Sequence, residues 1–173
     1  MVASAASPRF SSPPRSTTTK GLPSVAPAIP ARASAPAQPA GVHTLMLMKD
    51  VMAIDPRVGG DPLATAAAAK SFTPQDDLGY AFQYCTGWPD PATHPVLGLT
   101  LTISGESEGK KVHFSAADDD LVPDGIPSFP GCYLVRGSLP LGDVGRGLYE
   151  LVLTLTDNAS HQTYDLRKSF KVE

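Results

Sequence analysis

Charge is scarce in this sequence, and acid is missing altogether from its first 41 residues. Asp, Glu, Lys and Arg make up 18% of the 173 residues, below the roughly 25% of an average globular chain. A net charge of −3 gives no basic surface for nucleic acid or an anionic membrane. No apolar run approaches the roughly 20 residues of a membrane helix. Catalytic patterns are missing as well. There is no GxSxG elbow, no GxxxxGK[ST] loop and no HExxH. The four histidines, His43, His94, His113 and His161, stand apart from one another and from Cys or carboxylates at metal-ligand spacing. No cofactor is implied and no nucleophile–base pair is legible, so an enzyme is not expected.

The charge that exists is unevenly placed. Up to Gly41 the only charged side chains are Arg9, Arg15, Lys20 and Arg32; beyond it ten basic residues face 17 acids, a net of −7. Eight of the 18 prolines also precede Gly41. A Pro-, Ala- and Ser-rich segment without large apolar residues cannot offset the roughly 1–2 kcal/mol per residue of backbone ordering. Residues 1–41 therefore read as a disordered leader or linker, and 42–173 as one folded domain. The acid-free, Ser/Arg-rich start also fits an organellar transit peptide. A secretory signal needs an apolar centre of about 7–15 residues, which "MVASAASPRFSS" does not contain.

From His43 onward the dominant period is two, the period of strands. His43–Ile54, Asp77–Cys85, Leu97–Ile103, Lys110–Ala116, Gly131–Leu141, Gly147–Asp157 and Thr163–Glu173 read as strands, with "GESEG" (Gly105–Gly109) as a turn. Leu97, Leu99, Leu101 and Ile103 should face inward, as should Val112 and Phe114, with His113 in solvent. Tyr149, Leu151, Leu153 and Leu155 form the inner row of the most regular strand. On the last strand Lys168 falls on the apolar side, at an edge or with its stem along the surface. Asp61–Phe72 is Ala-rich but short for a free helix, and reads as a loop with one or two helical turns. About seven short one-sided strands predict an all-β, antiparallel two-sheet sandwich of immunoglobulin-like size.

Five features remain as candidate sites. Cys85 ends the second strand and Cys132 opens the fifth; in an immunoglobulin-like order these strands are antiparallel neighbours. The pair is either a disulfide or two buried thiols acting as small hydrophobes. Tyr149, just after a Gly-rich turn, is either a tyrosine corner or an ordinary core Tyr. Asp118, Asp119, Asp120 and Asp124 on one acidic loop could offer oxygen ligands to calcium, although the spacing is not that of an EF-hand; a solvated loop explains them equally. Trp88, the only Trp, is a sugar- or peptide-docking platform or a plug at the end of the sandwich. "NAS" at Asn158–Ser160 matches the glycosylation pattern and falls in an expected turn.

"FTPQDDLGYAFQYC" (Phe72–Cys85), "LTLTI" and "SLPLGDVGRGLYELVLTLTDNASHQTYDLRKSFKV" (Ser138–Val172) together resemble a bacterial module. It is the β-sandwich near the C-terminus of secreted proteins related to von Willebrand A domains. Gln75 stands where those modules usually have Gly, and "GRGLY" replaces their "PPGxY". No metal-adhesion DxSxS motif is present. The resemblance implies a non-catalytic accessory module outside the cytoplasm, periplasmic or secreted. Two functions follow as expectations. One is an interaction or spacer module that meets a protein partner through end loops or an exposed strand edge. The other is a carbohydrate- or calcium-dependent domain using Trp88 and the Asp118–Asp124 loop.

Overall fold

The computed structural model describes residues 39–87 and 94–173. The leader expected over 1–41 therefore lies almost wholly outside the described residues, and so does Trp88. The described chain is an all-β sandwich. Its elements are β1 (Gly41–Met48), β2 (Ser71–Phe72), β3 (Asp77–Cys85), β4 (Leu97–Ser107), β5 (Lys110–Leu121), β6 (Asp124–Gly125), β7 (Cys132–Pro140), β8 (Gly147–Asp157) and β9 (Thr163–Val172), with one short 3-10 turn at Val51–Ala53. One sheet has the order β1-β3-β7-β6 and the other β2-β9-β8-β4-β5. All pairings are antiparallel except β2 with β9.

Alternation decides which side chains meet between the sheets. Leu97, Leu99, Leu101 and Ile103 on β4 are buried, as are Tyr149, Leu151, Leu153 and Leu155 on β8. They face Leu78, Phe82 and Tyr84 of β3 and Tyr133 and Val135 of β7, in one apolar cluster. Leu151, Leu153 and Leu155 are 0% exposed, and each such side chain contributes about 1.5–3 kcal/mol of burial. Lys168 is exposed on β9, as a Lys at the margin of an apolar face should be.

The first sheet is also covered on its outer side. Met48, Val51, Ile54, Leu63, Ala81, Cys85, Ile126, Cys132 and Leu134 form a second cluster. Odd-numbered residues of β3 supply it and even-numbered ones supply the main core, so all but the first residue of β3 are buried. The covering layer comes from the excursion between β1 and β2, which begins where β1 ends. Asp50 accepts from the Met52 N–H at 3.0 Å and opens the 3-10 turn. The strand expected to run to Ile54 thus stops at Met48. The Ala-rich stretch after it makes turns at Ala64 and Ala66 and no longer helix.

Three further expectations are corrected. β4 continues through Gly105 to Ser107, and the turn is only Glu108–Gly109, both at positive φ (50° and 77°), the geometry of a two-residue hairpin. Gly105 serves close packing instead: a Cβ there would lie 3.0 Å from the Tyr149 Cα and still closer to the Leu148 carbonyl. β5 extends to Leu121, so Asp118, Asp119 and Asp120 lie on a strand and not on a flexible loop. Phe114 lies on the inward side, opposite Ile103, yet is 44% exposed. The facing sheet ends in the two-residue β6, and β5 packs on β4.

Candidate functional site

The two cysteines are cross-strand partners. Cys85 and Cys132 sit directly opposite each other on β3 and β7 and are joined by a disulfide, S–S 2.06 Å, 47 residues apart in sequence. Both sulfurs are buried in the outer cluster. The bridge links neighbouring strands of one sheet; it does not cross between sheets.

At the same end, a buried carboxylate joins the two sheets. Asp157 closes β8 opposite Leu97, at 7% exposure. Its Oδ2 accepts from the Tyr84 hydroxyl of the facing sheet at 2.6 Å and from the Ser160 hydroxyl at 2.9 Å. Its Oδ1 accepts from the backbone N–H of Ala159 at 2.9 Å and of Ser160 at 3.3 Å. Burial resists the charge, but the Tyr84 hydroxyl, the Ala159 N–H and Ser160 outweigh it, so Asp157 titrates below the usual carboxylate range. Burial first, and then this carboxylate, pushes the Tyr84 phenol above its ordinary value. The same contacts fold the "DNAS" turn. The Asn158 side chain is exposed and donates to the Asp119 carbonyl at 3.0 Å.

Tyr149 turns its hydroxyl back to the Gly145 carbonyl at 2.7 Å, the contact of a tyrosine corner. Its ring lies 5.6 Å from that of Phe170. Gly147 is required beside it, since a Cβ there would overlap the Glu106 carbonyl and lie 3.2 Å from the Tyr149 hydroxyl.

The four candidate calcium ligands are not brought together. Asp118 lies on β5 close enough to Tyr80 that its charge, after burial, raises the Tyr80 phenol. Its Oδ1 accepts from the Asp120 N–H at 3.2 Å. Asp124 is on the other sheet, ion-paired to Arg136 at 3.0 Å. Among the described residues no three His, Cys, Asp or Glu side chains are grouped to hold a metal ion.

Like Asp157, Arg136 and Gln83 are polar residues that sequence reasoning passed over. Arg136 donates from Nη1 to the Ile54 carbonyl at 2.6 Å while its Nη2 meets Asp124. Gln83, 4% exposed, donates to Asp61, which also accepts from the Leu63 N–H at 2.9 Å. Together they clamp the covering layer onto the first sheet. The only sequence signal is a polar residue between apolar ones on strands whose outer face is otherwise apolar.

The cavities have the same character. One of about 380 Å³ lies between the 3-10 turn and the Ala-rich stretch, with Lys49 and Asp50 as its charged residues. Lys49 is committed to Asp76 at 2.7 Å, and that bond is the main reason Asp76 titrates below its usual range. A second, of about 260 Å³, is lined by His43, Thr44, Asp61 and Gln83 among others. There His43 Nε2 is 2.9 Å from the Pro39 carbonyl, and Gln83 is held by Asp61. Among the described residues no buried side-chain nitrogen or oxygen is without a hydrogen-bond partner. No described helix is long and apolar enough to cross a membrane.

No family model matches the chain, and no curated protein matches it. Solved structures give distant likenesses. A superoxide reductase (neelaredoxin) from Ignicoccus hospitalis is 16% identical over 76% of this chain and 82% of that one, with a TM-score of 0.36. The soluble domain of PmoD from a Methylocystis species is 16% identical over 76% and 90%, TM-score 0.31. Spo0M, a sporulation control protein from Bacillus subtilis, is 14% identical over 61% and 46%, TM-score 0.33. At these scores the likenesses say nothing about what this chain does.

Proposed function

We propose that this chain is a non-catalytic, immunoglobulin-like interaction or spacer module of an extracytoplasmic protein, of the kind found in secreted von Willebrand A-related proteins. The observation that carries the reading is the state of its polar groups. Asp157, Gln83, Arg136 and Tyr149 are each committed to another part of the same fold. None is held ready for a ligand, as a catalytic acid, base or oxyanion donor would be. The strand order supports the immunoglobulin-like part. With β1, β3, β6 and β7 as A, B, D and E, and β4, β5, β8 and β9 as C, C′, F and G, the sheets read ABED and GFCC′. The buried Cys85–Cys132 bridge supports a compartment where disulfides persist.

Such a module meets a protein partner through a strand edge or end loops. Isothermal calorimetry with calcium and with a glycan panel tests the reading. No heat is expected, and Tm should be the same in calcium and in chelator. A calcium site filled at 100 times its Kd would add about 2.7 kcal/mol, several degrees of Tm. Heat in either titration would replace this reading with the ligand-binding one. For the compartment, intact mass before and after alkylation of the protein taken from its native cell is decisive: two free thiols would exclude an oxidising location.

A further inference from the structure

We infer that the free edge of β5 is a self-complementary seam that pairs antiparallel with β5 of a second copy of this chain, joining two five-stranded sheets into one across a twofold axis at Ser115. The proposal rests on the reading of the fold as an interaction module and names its partner.

β5 is twelve residues long, pairs with β4 on one side and ends its sheet on the other. Lys110, Lys111, His113, Phe114, Ser115 and Asp118–Asp120 along it are all exposed. An unpaired edge of this length is a template for another strand unless its charges repel. Here the charges are ordered by sign. Two lysines stand at the start, "KKVHFSAADDD", and three aspartates at the end. In an antiparallel pair centred on Ser115 the Lys110–Lys111 end of one copy meets the Asp119–Asp120 end of the other. The twofold axis repeats this meeting at the far end, as an isologous contact must. Opposite charges facing across strands stabilise pairing. A parallel arrangement would instead stack like on like.

Two further observations favour this edge. Lys110, Lys111, Asp119 and Asp120 make no side-chain ion pair among the described residues. Most charges of the β9 edge are already used: Arg167 lies 3.6 Å from Glu150, Asp165 accepts from Thr154, and Lys171 lies 3.0 Å from Glu173. Phe114 is exposed on the same face as Ile103. In the paired sheet it sits opposite Ala116 and diagonal to Phe114 of the other copy, within the reach of aromatic side chains. The residue that the monomer leaves half in water is then covered. The bulge falls at Asp119–Asp120 themselves, between the pairs Leu99–Asp118 and Leu97–Leu121, so the regular ladder of the seam ends at Asp118 and the two aspartates form its bulged terminus.

Sedimentation velocity on the full chain, from about 1 μM to about 1 mM, should show a monomer–dimer equilibrium that weakens with salt. K110E/K111E and D119K/D120K should each raise the dimer Kd at least about tenfold, by lost pairs and new repulsion. An equimolar mixture of the two should restore it as a heterodimer, because the facing ends are again opposite in sign. Circular dichroism establishes that the variants are folded. Independently of them, S115C on an otherwise unaltered chain should give a covalent dimer on mild oxidation, since the two Ser115 Cα atoms face each other at the axis. A wild type monomeric throughout overturns the proposal. So does a dimer that the reversals leave intact, a mixture that stays monomeric, or an S115C chain that does not cross-link. None of these outcomes touches the module reading, which stands or falls on calorimetry.

Discussion

Replacing Tyr84 by Phe removes one oxygen from the interior and leaves the ring in place, so its cost isolates the hydroxyl's bond to Asp157. That carboxylate has four donors, two on each oxygen. A hydrogen bond to a charged group is worth about 1.5–3 kcal/mol, and Ser160 stays on the same Oδ2, so we expect about 2 kcal/mol. In a domain of this size that lowers Tm by roughly 6–10 °C. Urea unfolding followed by circular dichroism at pH 7 measures it, and a cycle with D157N should give a coupling of about 1–2 kcal/mol. The pH dependence has a definite sign. Asp157 is held below its usual range, so its contribution is complete above the unfolded value, about 3.9, and is lost as pH falls through the folded one. The Phe penalty should therefore be flat from neutral pH to about pH 5 and shrink in stronger acid. The Tyr84 phenol is raised, so its contribution is present below the unfolded value, about 10, and is lost as pH rises beyond it. The wild type should lose stability on that alkaline limb and Y84F should lose less. A Y84F protein within about 0.5 kcal/mol of wild type, or a penalty that grows in acid, would refute the account.

Three other perturbations test separate parts of the structure. C85A/C132A should lose about 2–4 kcal/mol of unfolding free energy in urea while keeping the same far-ultraviolet spectrum; an unchanged midpoint would mean the bridge does not constrain the unfolded chain. G147A should cost about 1–3 kcal/mol, because its Cβ meets the Glu106 backbone and not a movable side-chain end; a neutral G147A would mean β4 and β8 can separate freely there. R136M should lose about 1–2 kcal/mol and make the chain between residues 49 and 70 the first site of protease cleavage, since Arg136 ties that excursion to the sheet through Ile54. Cleavage elsewhere first would refute the clamp.

Much of the main core was legible because strand burial is a local, period-two property. The rows Leu97–Ile103 and Tyr149–Leu155 lie inside as alternation requires, and "GRGLY" placed a turn and a Tyr at the start of β8. The misreadings share a cause: each depended on what another strand did. Phe114 has the pattern of a core residue, but the strand that would cover it is only two residues long. Gly105 looks like turn chemistry, but β8 approaches too closely for any side chain there. Asp118–Asp124 look like one acidic loop, but a bulged strand and a crossover put Asp124 on the opposite sheet, beside Arg136.

The amino-acid order alone determined most of the strands, the inner rows of β4 and β8 and the absence of linear catalytic motifs, because side-chain direction alternates with every peptide unit whatever the rest of the chain does. Tertiary structure alone decided which polar groups became internal: Asp157 under Tyr84, Gln83 under Asp61, and Arg136 between Ile54 and Asp124. It also decided that β5 ends its sheet with its charges unmatched. Whether a polar side chain is buried and paired depends on residues many tens of positions away, and that distance is bridged only when the sheets come together.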